Sequence, residues 1–185
     1  MKRRDFSHIA AVLFTLSLTI AATAAAADKT TKPKLQAAEL GATRNVHSFG
    51  PTLLCGQPDL AALEQAKKRG IKVVVSLREP GEVDADEAAA AKSVGLEFHR
   101  IAFLAPETLD DKVFASVRKI LADSGKSPVL LYCGSANRVG AIWAAHRALD
   151  GGLSVEDAMK EGKAVGLKSP DYEKIVEEYI QRNKK

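Results

Sequence analysis

The sequence contains few of the residues that bind metals or cross-link chains. Only two cysteines, Cys55 and Cys133, occur in 185 residues, and the histidines are scattered rather than grouped with them. The sequence therefore predicts no metal site and no cofactor. It also lacks internal repeats and any stripe of alternating basic and aromatic residues, so nucleic acid is not expected as a partner. The four histidines are His8, His47, His99 and His146.

No apolar run is long enough to cross a bilayer, which takes about 20 residues. The longest, residues 9–22, follows a basic start (M-K-R-R) and precedes small residues that offer an A-x-A cleavage site before Asp28. Residues 1–27 are thus predicted to be a signal peptide rather than an uncleaved anchor. Arg3 and Arg4 resemble a twin-arginine signal, so export by either the Sec or the twin-arginine route is open. We expect a periplasmic protein with no stable membrane anchor after cleavage.

The net charge of +4 and the isoelectric point near 9.0 owe part of their value to the basic signal. Residues 28–40 are predicted to be a flexible linker, and residues 41–183 to be one domain. Disulfides are permitted in an oxidising compartment, but the sequence does not decide whether Cys55 and Cys133 meet. It does not decide the oligomeric state either.

Strands alternate with helices along the domain. Apolar or β-branched runs predict four strands, and helical stretches separate them; this favours an α/β fold with a mostly parallel sheet of about four strands flanked by helices. Ligands of such sheets lie at the carboxyl ends of the strands. We therefore expect the turns after Leu77, Phe103 and Tyr132 to meet. The predicted strands lie within residues 49–58, 71–77, 97–103 and 129–132.

The turn after the last strand has the composition of an anion site. Cys133 stands where the strand should end, small or polar residues follow it, and Arg138 precedes a helix predicted over residues 139–149. Backbone N–H groups and the helix dipole at such a turn attract anions and stabilise a thiolate. The arginine can bind two oxygens of an oxyanion. The predicted phosphate-binding residues are Gly134, Ser135, Ala136, Asn137 and Arg138.

Three motifs carry a family resemblance: residues 54–58 (L-C-G-Q-P), residues 70–82 (G-I-K-V-V-V-S-L-R-E-P-G-E), and Cys133 with Arg138 five positions later. Together they resemble the beta-lactamase-hydrolase-like phosphatase-like family, bacterial relatives of the dual-specificity protein tyrosine phosphatases. The resemblance spans about residues 41–149. It implies the phosphatase fold and a phosphocysteine on Cys133, formed from a phosphorylated protein or a small phosphate ester.

The loop departs from the pattern of that family, which usually reads C-R-S-G-x-R-S. Gly134 replaces the first arginine, Ala136 replaces the glycine, and Val139 replaces the serine after Arg138. If position 136 needs a positive φ, alanine is strained there by about 1 kcal/mol. Val139 has no hydroxyl with which to stabilise the thiolate.

The general acid is not evident from the sequence. Dual-specificity phosphatases carry an aspartate after the third strand, whereas the matching stretch here, residues 101–107, has none. Glu107 is the nearest carboxylate and is the predicted acid. The alternatives all lie near predicted helix starts, where carboxylates commonly offset the helix dipole. They are Asp110, Asp111, Glu82, Asp84 and Asp86.

Two other functions remain open. The spacing of Cys133 and Arg138 is also the loop size of rhodanese sulfurtransferases, which would carry a persulfide on the cysteine, although the D-x-R and G-H-I-x-G-A patterns of rhodaneses are missing. Alternatively, the altered loop and the missing aspartate are compatible with a non-catalytic module that binds anions or a partner protein. Function has to be argued from the site, since one fold serves many functions.

Overall fold

Six strands form one mixed sheet in the computed structural model, which describes residues 32–82 and 86–184. The order of the strands across the sheet is β1-β2-β3-β6-β4-β5. The predicted signal peptide, residues 1–27, lies outside the described residues. The strands are β1 (Gln36–Ala37), β2 (His47–Phe49), β3 (Thr52–Cys55), β4 (Val73–Ser76), β5 (Glu97–Arg100) and β6 (Val129–Tyr132).

Helices connect the parallel strands and complete the carboxyl-terminal part. Aspartate and serine side chains cap several of them: Asp59 Oδ1 accepts from Ala62 N at 2.7 Å, and Ser154 Oγ accepts from Asp157 N at 3.0 Å. Such caps satisfy N–H groups that the first turn leaves without an acceptor. The helices are α1 (Leu60–Lys68), α2 (Glu87–Ser93), α3 (Asp111–Ala122), α4 (Asn137–Leu149), α5 (Val155–Val165) and α6 (Pro170–Asn183).

The four predicted strands are present and pair in parallel, as β3, β6, β4 and β5. The sheet is nevertheless mixed, because β1 and β2 add an antiparallel edge that was not predicted. These two strands are only two and three residues long, too short to show an alternating pattern. The α/β class and the mostly parallel sheet are confirmed, and the count of about four strands is corrected to six among the described residues.

The apolar core lies on both faces of the sheet. On one face, α1 and α2 pack against alternate strand residues such as Leu53, Leu130 and Tyr132. On the other face, α3 to α6 pack against Leu54, Leu131 and the remaining alternate residues. A parallel sheet that is covered on both faces has strands that are apolar throughout, which explains the continuous apolar run in β6.

Helix α4 lies at the centre of the second layer and is buried on nearly all sides. It approaches α5 closely at two glycines. A Cβ atom added to Gly140 would lie 2.4 Å from the Gly162 carbonyl oxygen, and one added to Gly162 would lie 2.8 Å from the Gly140 carbonyl oxygen. Only glycine fits at these two positions, so the backbones of α4 and α5 are in contact.

The compact unit begins earlier than residue 41, the predicted start of the domain. It includes residues from Pro33 onward, and Leu40 is fully buried. The predicted linker therefore extends too far at its carboxyl end, because residues 33–40 contribute β1 and an apolar contact to the core. Among the described residues, no helix is both long and apolar enough to span a membrane.

Candidate active site

Cys133 lies directly after β6, which pairs with β3 on one side and β4 on the other. Its side chain is 1% exposed, and its N–H donates to the carbonyl of Cys55 at 3.4 Å. The strand order places this cysteine at the middle of the parallel part of the sheet, at the carboxyl end. That is the position where open α/β sheets bind ligands.

The loop after Cys133 turns its carbonyl groups outward. Gln57 N donates to the Gly134 carbonyl at 3.3 Å, and Asn45 Nδ2 donates to the Ser135 carbonyl at 2.9 Å. In a planar trans peptide the N–H points opposite to the C=O. The N–H groups of Ser135 and Ala136 therefore point into the loop, away from Gln57 and Asn45.

The N–H groups of residues 134–139 have no acceptor among residues 32–82 and 86–184. The first bond of helix α4 comes later, from Gly140 N to the Ala136 carbonyl at 2.9 Å. A run of free donors at the amino end of a 13-residue helix, where the dipole is positive, binds anions. The loop after Cys133 has such donors, and the binding of an anion there stays a prediction.

Ala136 adopts the left-handed conformation, with φ at 69°. Because alanine has a Cβ atom, this conformation costs about 1 kcal/mol of backbone strain. Its methyl group is fully buried and lies against Gly166, where an added Cβ would come within 3.1 Å. The loop thus carries its strain at the residue that turns the chain into α4.

Asn137 contributes its backbone rather than its side chain to the loop. Its Oδ1 accepts from Lys168 N at 2.8 Å and from Ser169 N at 3.3 Å. The side chain therefore joins the start of α4 to the segment that leads into α6. Gly134 and Ser135 are exposed at the open side of the loop, as a phosphate-binding turn requires.

Arg138 joins the three turns that were predicted to meet. Its Nη1 donates to the Leu77 carbonyl at 2.9 Å and to the Phe103 carbonyl at 3.3 Å. Leu77 follows β4, and Phe103 comes shortly after β5. The prediction that these turns converge with the turn after Tyr132 is therefore confirmed, and the convergence is held by Arg138, a residue that is 8% exposed.

Glu82 forms a two-point ion pair with Arg138. The Nη1–Oε1 and Nη2–Oε2 distances are both 2.6 Å. The hydrogen bond from Arg138 lowers the pKa of Glu82 to about 2, against an opposing effect of partial burial. Burial alone would lower the pKa of Arg138, but the bonds to Glu82 and the nearby Cys133 raise it overall, so the guanidinium stays charged.

A second arginine links this ion pair to the anion-binding loop. Arg78 donates through Nη2 to the Glu82 carbonyl and through Nη1 to Gln57 Oε1. Gln57 N in turn donates to the Gly134 carbonyl. The three sequence motifs therefore meet in one hydrogen-bonded chain, which gives a structural reason for their occurrence together.

Most of the alternative acids have other structural partners. Asp86 caps α2 by accepting from Ala89 N at 2.9 Å, and Asp110 caps α3 by accepting from Val113 N at 2.9 Å. Asp111 pairs with Arg182 at 2.9 Å. Each of these aspartates stabilises a helix start or a helix contact. Glu82 stays ionised beside Arg138 and is unsuited to donating a proton, while Asp84 lies outside the described residues.

Glu107 is exposed in a turn that follows Phe103. The turn is held by Thr108, whose Oγ1 accepts from Leu104 N at 2.8 Å. Because the Phe103 carbonyl accepts from Arg138, this segment runs beside the guanidinium. Glu107 follows Phe103 by four residues in this turn, and it has no ion-pair partner within the described residues. Its role as the acid stays a prediction.

Tyr172 was not identified from the sequence. It lies in the first turn of α6, is 8% exposed, and accepts a hydrogen bond from Ala105 N at 3.2 Å. Burial raises the pKa of Tyr172, and Arg138 and Cys133 both act on it electrostatically. The only sequence signal was an aromatic residue just after the helix start at Ser169 and Pro170, which does not distinguish a site residue from a core residue.

Cys55 and Cys133 are neighbours but face opposite sides of the sheet. Cys55 packs with Leu53 and Tyr132 on the α1 and α2 side, whereas Cys133 packs with Leu131 on the α4 side. Both cysteines are free. Burial, followed by the proximity of Cys133, raises the pKa of Cys55 well above its usual range. Cys55 is therefore a buried thiol rather than a nucleophile.

No group of three metal-ligating side chains occurs in the part of the chain that the structure describes. The site itself offers a buried thiol, backbone donors without an acceptor, a charged arginine and nearby hydroxyl and carboxyl groups. Such a set can hold a tetrahedral oxyanion and bring a sulfur nucleophile against its central atom.

Comparison with known proteins finds no matching family model and no matching curated protein. Solved structures do match. The crystal structure of TpbA from P. aeruginosa superposes with a TM-score of 0.63 at 21% identity, covering 80% of this chain and 89% of that one. A cysteine-to-serine variant of TpbA in complex with phosphotyrosine gives 0.64 at 19% identity, covering 85% and 93%.

A eukaryotic structure matches equally well. The core catalytic domain of the PP-IP phosphatase SIW14 from S. cerevisiae, in complex with citrate, has a TM-score of 0.62 at 16% identity, covering 75% of this chain and 90% of that one. At these identities the comparison establishes the fold. The chain has the cysteine-phosphatase fold that the sequence predicted, and the narrower beta-lactamase-hydrolase-like assignment stays a prediction.

Proposed function

We propose that this chain is a cysteine-dependent phosphatase that hydrolyses phosphomonoesters. One observation carries the proposal: the N–H groups of residues 134–139, which follow the buried Cys133 in the chain, have no acceptor among the described residues, and the charged Arg138 belongs to the same loop. A dianionic phosphoryl group matches this array in charge and in its number of acceptor oxygens. The fold shared with the catalytic domain of SIW14, a PP-IP phosphatase, supports a phosphatase activity.

In the first step, the Cys133 thiolate attacks the phosphorus atom in line with the ester oxygen. The S–P bond forms as the P–O bond to the leaving group breaks. The loop N–H groups and Arg138 stabilise the negative charge that is spread over the three equatorial oxygens in the transition state. The thiolate itself is stabilised by the same donors and by the amino end of α4.

Glu107 donates a proton to the leaving oxygen and becomes a carboxylate. In the second step, this carboxylate takes a proton from water as the water oxygen attacks the phosphorus. The P–S bond breaks, inorganic phosphate leaves, and the Cys133 thiolate is restored. The support for Glu107 is its place on the turn beside Arg138 and the engagement of the other described acids elsewhere.

The substrate class follows from the exposed side of the loop. Gly134 and Ser135 are exposed, so a phosphoryl group on a protein side chain or on a small molecule can reach the loop. The complex of a TpbA variant with phosphotyrosine supports aryl phosphates as first substrates. A phosphorylated protein and a small phosphate ester both remain within this proposal.

The direct test is hydrolysis of p-nitrophenyl phosphate in the presence of EDTA. We expect turnover by the wild-type chain and none by Cys133→Ser, since a serine hydroxyl at this position is a far weaker nucleophile. Cys55→Ser is the matched control, because Cys55 is buried on the other face of the sheet. This variant should retain turnover.

Two results would contradict the proposal. Turnover that survives in Cys133→Ser would exclude a phosphocysteine. Absence of turnover in a folded wild-type chain that still binds oxyanions would instead favour the non-catalytic anion-binding module.

A further inference from the structure

A cavity of about 270 Å³ lies on the α1 and α2 side of the sheet, the face opposite to the one on which Cys133 packs. We propose that this cavity binds a small organic cation, a primary ammonium group on a compact apolar body. The proposal does not depend on the phosphatase activity, because Cys133, Arg138 and Glu107 are not among the residues that line the cavity.

The walls of the cavity are mainly apolar. Leu60 is 50% exposed, which places this apolar side chain at the entrance. At about 30 Å³ for each water molecule, the volume has room for about nine waters, or for a ligand of about six to nine non-hydrogen atoms. Apolar walls of this kind hold the body of a ligand, and a few polar groups fix its orientation. The apolar lining residues are Pro58, Leu60, Leu63, Val74 and Ala90.

Glu87 places a carboxylate in the wall of the cavity. This residue is 4% exposed, and its Oε2 accepts from Ser76 Oγ at 3.1 Å and from Arg100 Nη2 at 3.0 Å. Its Oε1 is also buried and accepts no hydrogen bond from any described residue. Ser76 and Arg100 are not among the lining residues, so Oε1 is the oxygen left for a donor that enters the cavity.

The other polar groups of the wall favour a cation over an anion. Burial raises the pKa of Tyr132, and the nearby Glu87 adds to this effect, so the phenol is neutral. Asp59 is exposed and brings a second carboxylate to the cavity, while its Oδ1 accepts from Ala62 N at 2.7 Å. No lysine, arginine or histidine lines the cavity within the described ranges. The charge of the wall is therefore negative.

Asp59 and Glu87 both lie at helix starts, where carboxylates commonly offset the helix dipole. That role explains neither the cavity beside them nor the buried Oε1 without a donor. A buried acceptor that lacks a donor is unfavourable, and an ammonium group would supply a charge-assisted hydrogen bond. A neutral hydroxyl would supply a donor without the charge, so the two kinds of ligand can be compared directly.

The test is titration of the ¹⁵N-labelled full chain with benzylamine near neutral pH, followed by NMR. We expect saturable shifts at the amides of the lining residues, with a dissociation constant of about 1 mM, which is ordinary for a ligand of this size. Benzyl alcohol has the same apolar body without the charge. It should bind about 10-fold more weakly, because a hydrogen bond between charged groups is the stronger one.

Two variants test the carboxylate and the cavity separately. Glu87→Gln keeps the shape of the side chain but removes its charge, and should weaken benzylamine binding at least about 10-fold. Ala90→Leu alters no charge and fills the cavity from α2, so it should abolish binding even if Glu87→Gln fails to fold. Glu64→Gln is the matched control, because Glu64 is exposed on α1 outside the lining, and it should change the affinity by less than about 2-fold.

Absence of saturable shifts with benzylamine, or shifts confined to residues outside the lining, would overturn the proposal. Wild-type affinity in a folded Glu87→Gln or in Ala90→Leu would also overturn it, since the ligand would then bind elsewhere. Equal affinities for benzylamine and benzyl alcohol would reject an organic cation as the ligand. None of these results bears on turnover at Cys133.

Discussion

At the scale of single residues, the site combines groups that sequence patterns reveal with groups that they do not. Cys133 and Arg138 stand five positions apart between a strand and a helix, so local sequence was sufficient to identify them. The Glu82 contact joins positions 56 residues apart. The sequence placed Glu82 near a helix start, where a carboxylate has an ordinary role, and only the fold brings it to the guanidinium.

The depressed pKa of Glu82 predicts a specific loss of stability in acid. Its folded-state pKa of about 2 is lower than its ordinary value of 4.5. The ion pair therefore stabilises the fold fully above about pH 5, and this contribution is lost as the pH falls toward 2. Allowing for partial exposure, we expect the wild type to lose about 2 kcal/mol more than Glu82→Gln across this range.

Urea unfolding of both proteins at several pH values measures this difference. The free energies of unfolding should converge as the pH approaches 2, with the wild type more stable near neutrality. Two curves that run parallel over the whole range would show that the ion pair adds nothing to stability.

At the scale of elements, α4 connects the loop to the rest of the structure. It begins at Asn137, two residues earlier than predicted, because Ala136 takes the left-handed conformation that ends the loop. The sequence did not settle this boundary, since small residues on both sides of it are compatible with turn or helix. The contact of α4 with α5 at Gly140 and Gly162 then fixes the helix beneath the loop.

Gly140→Ala should destabilise the chain by about 2 kcal/mol or more, although alanine is the better helix former. The added methyl would meet the Gly162 carbonyl and the Leu167 backbone, so the two helices must separate. Gly125→Ala is the control, because a Cβ there has no neighbour within 4 Å. Urea unfolding compares the two. A Gly140→Ala variant as stable as Gly125→Ala would contradict the close packing of α4 and α5.

The other strands and helices could be predicted from the sequence to different degrees. The strands that are buried on both faces were evident as apolar runs, and capping residues marked several helix starts. The edge strands β1 and β2 were not evident, because short edge strands with partly exposed residues carry no periodic signal. Strand β1 pairs with β2, and β2 pairs with β3. Local sequence patterns do not encode these pairings.

At the scale of the whole molecule, the strand order places the loop after β6 at the carboxyl end of the parallel strands, where α/β sheets bind ligands. The chain passes from β3 to β4 and β5 before β6 returns between β3 and β4, so the last strand delivers Cys133 to the centre of the sheet. The alternation of strands and helices was sufficient to predict this class of fold. The export signal predicted for residues 1–27 lies outside the described residues and stays a prediction.

The most direct test of the central claim is to trap the covalent intermediate. Wild-type protein mixed with p-nitrophenyl phosphate is quenched in acid during turnover, digested and analysed by mass spectrometry. We predict one added phosphoryl group on the peptide that contains Cys133, and none on that peptide in Cys133→Ser. Steady turnover by the wild type with a phosphoryl group on another residue would contradict the account.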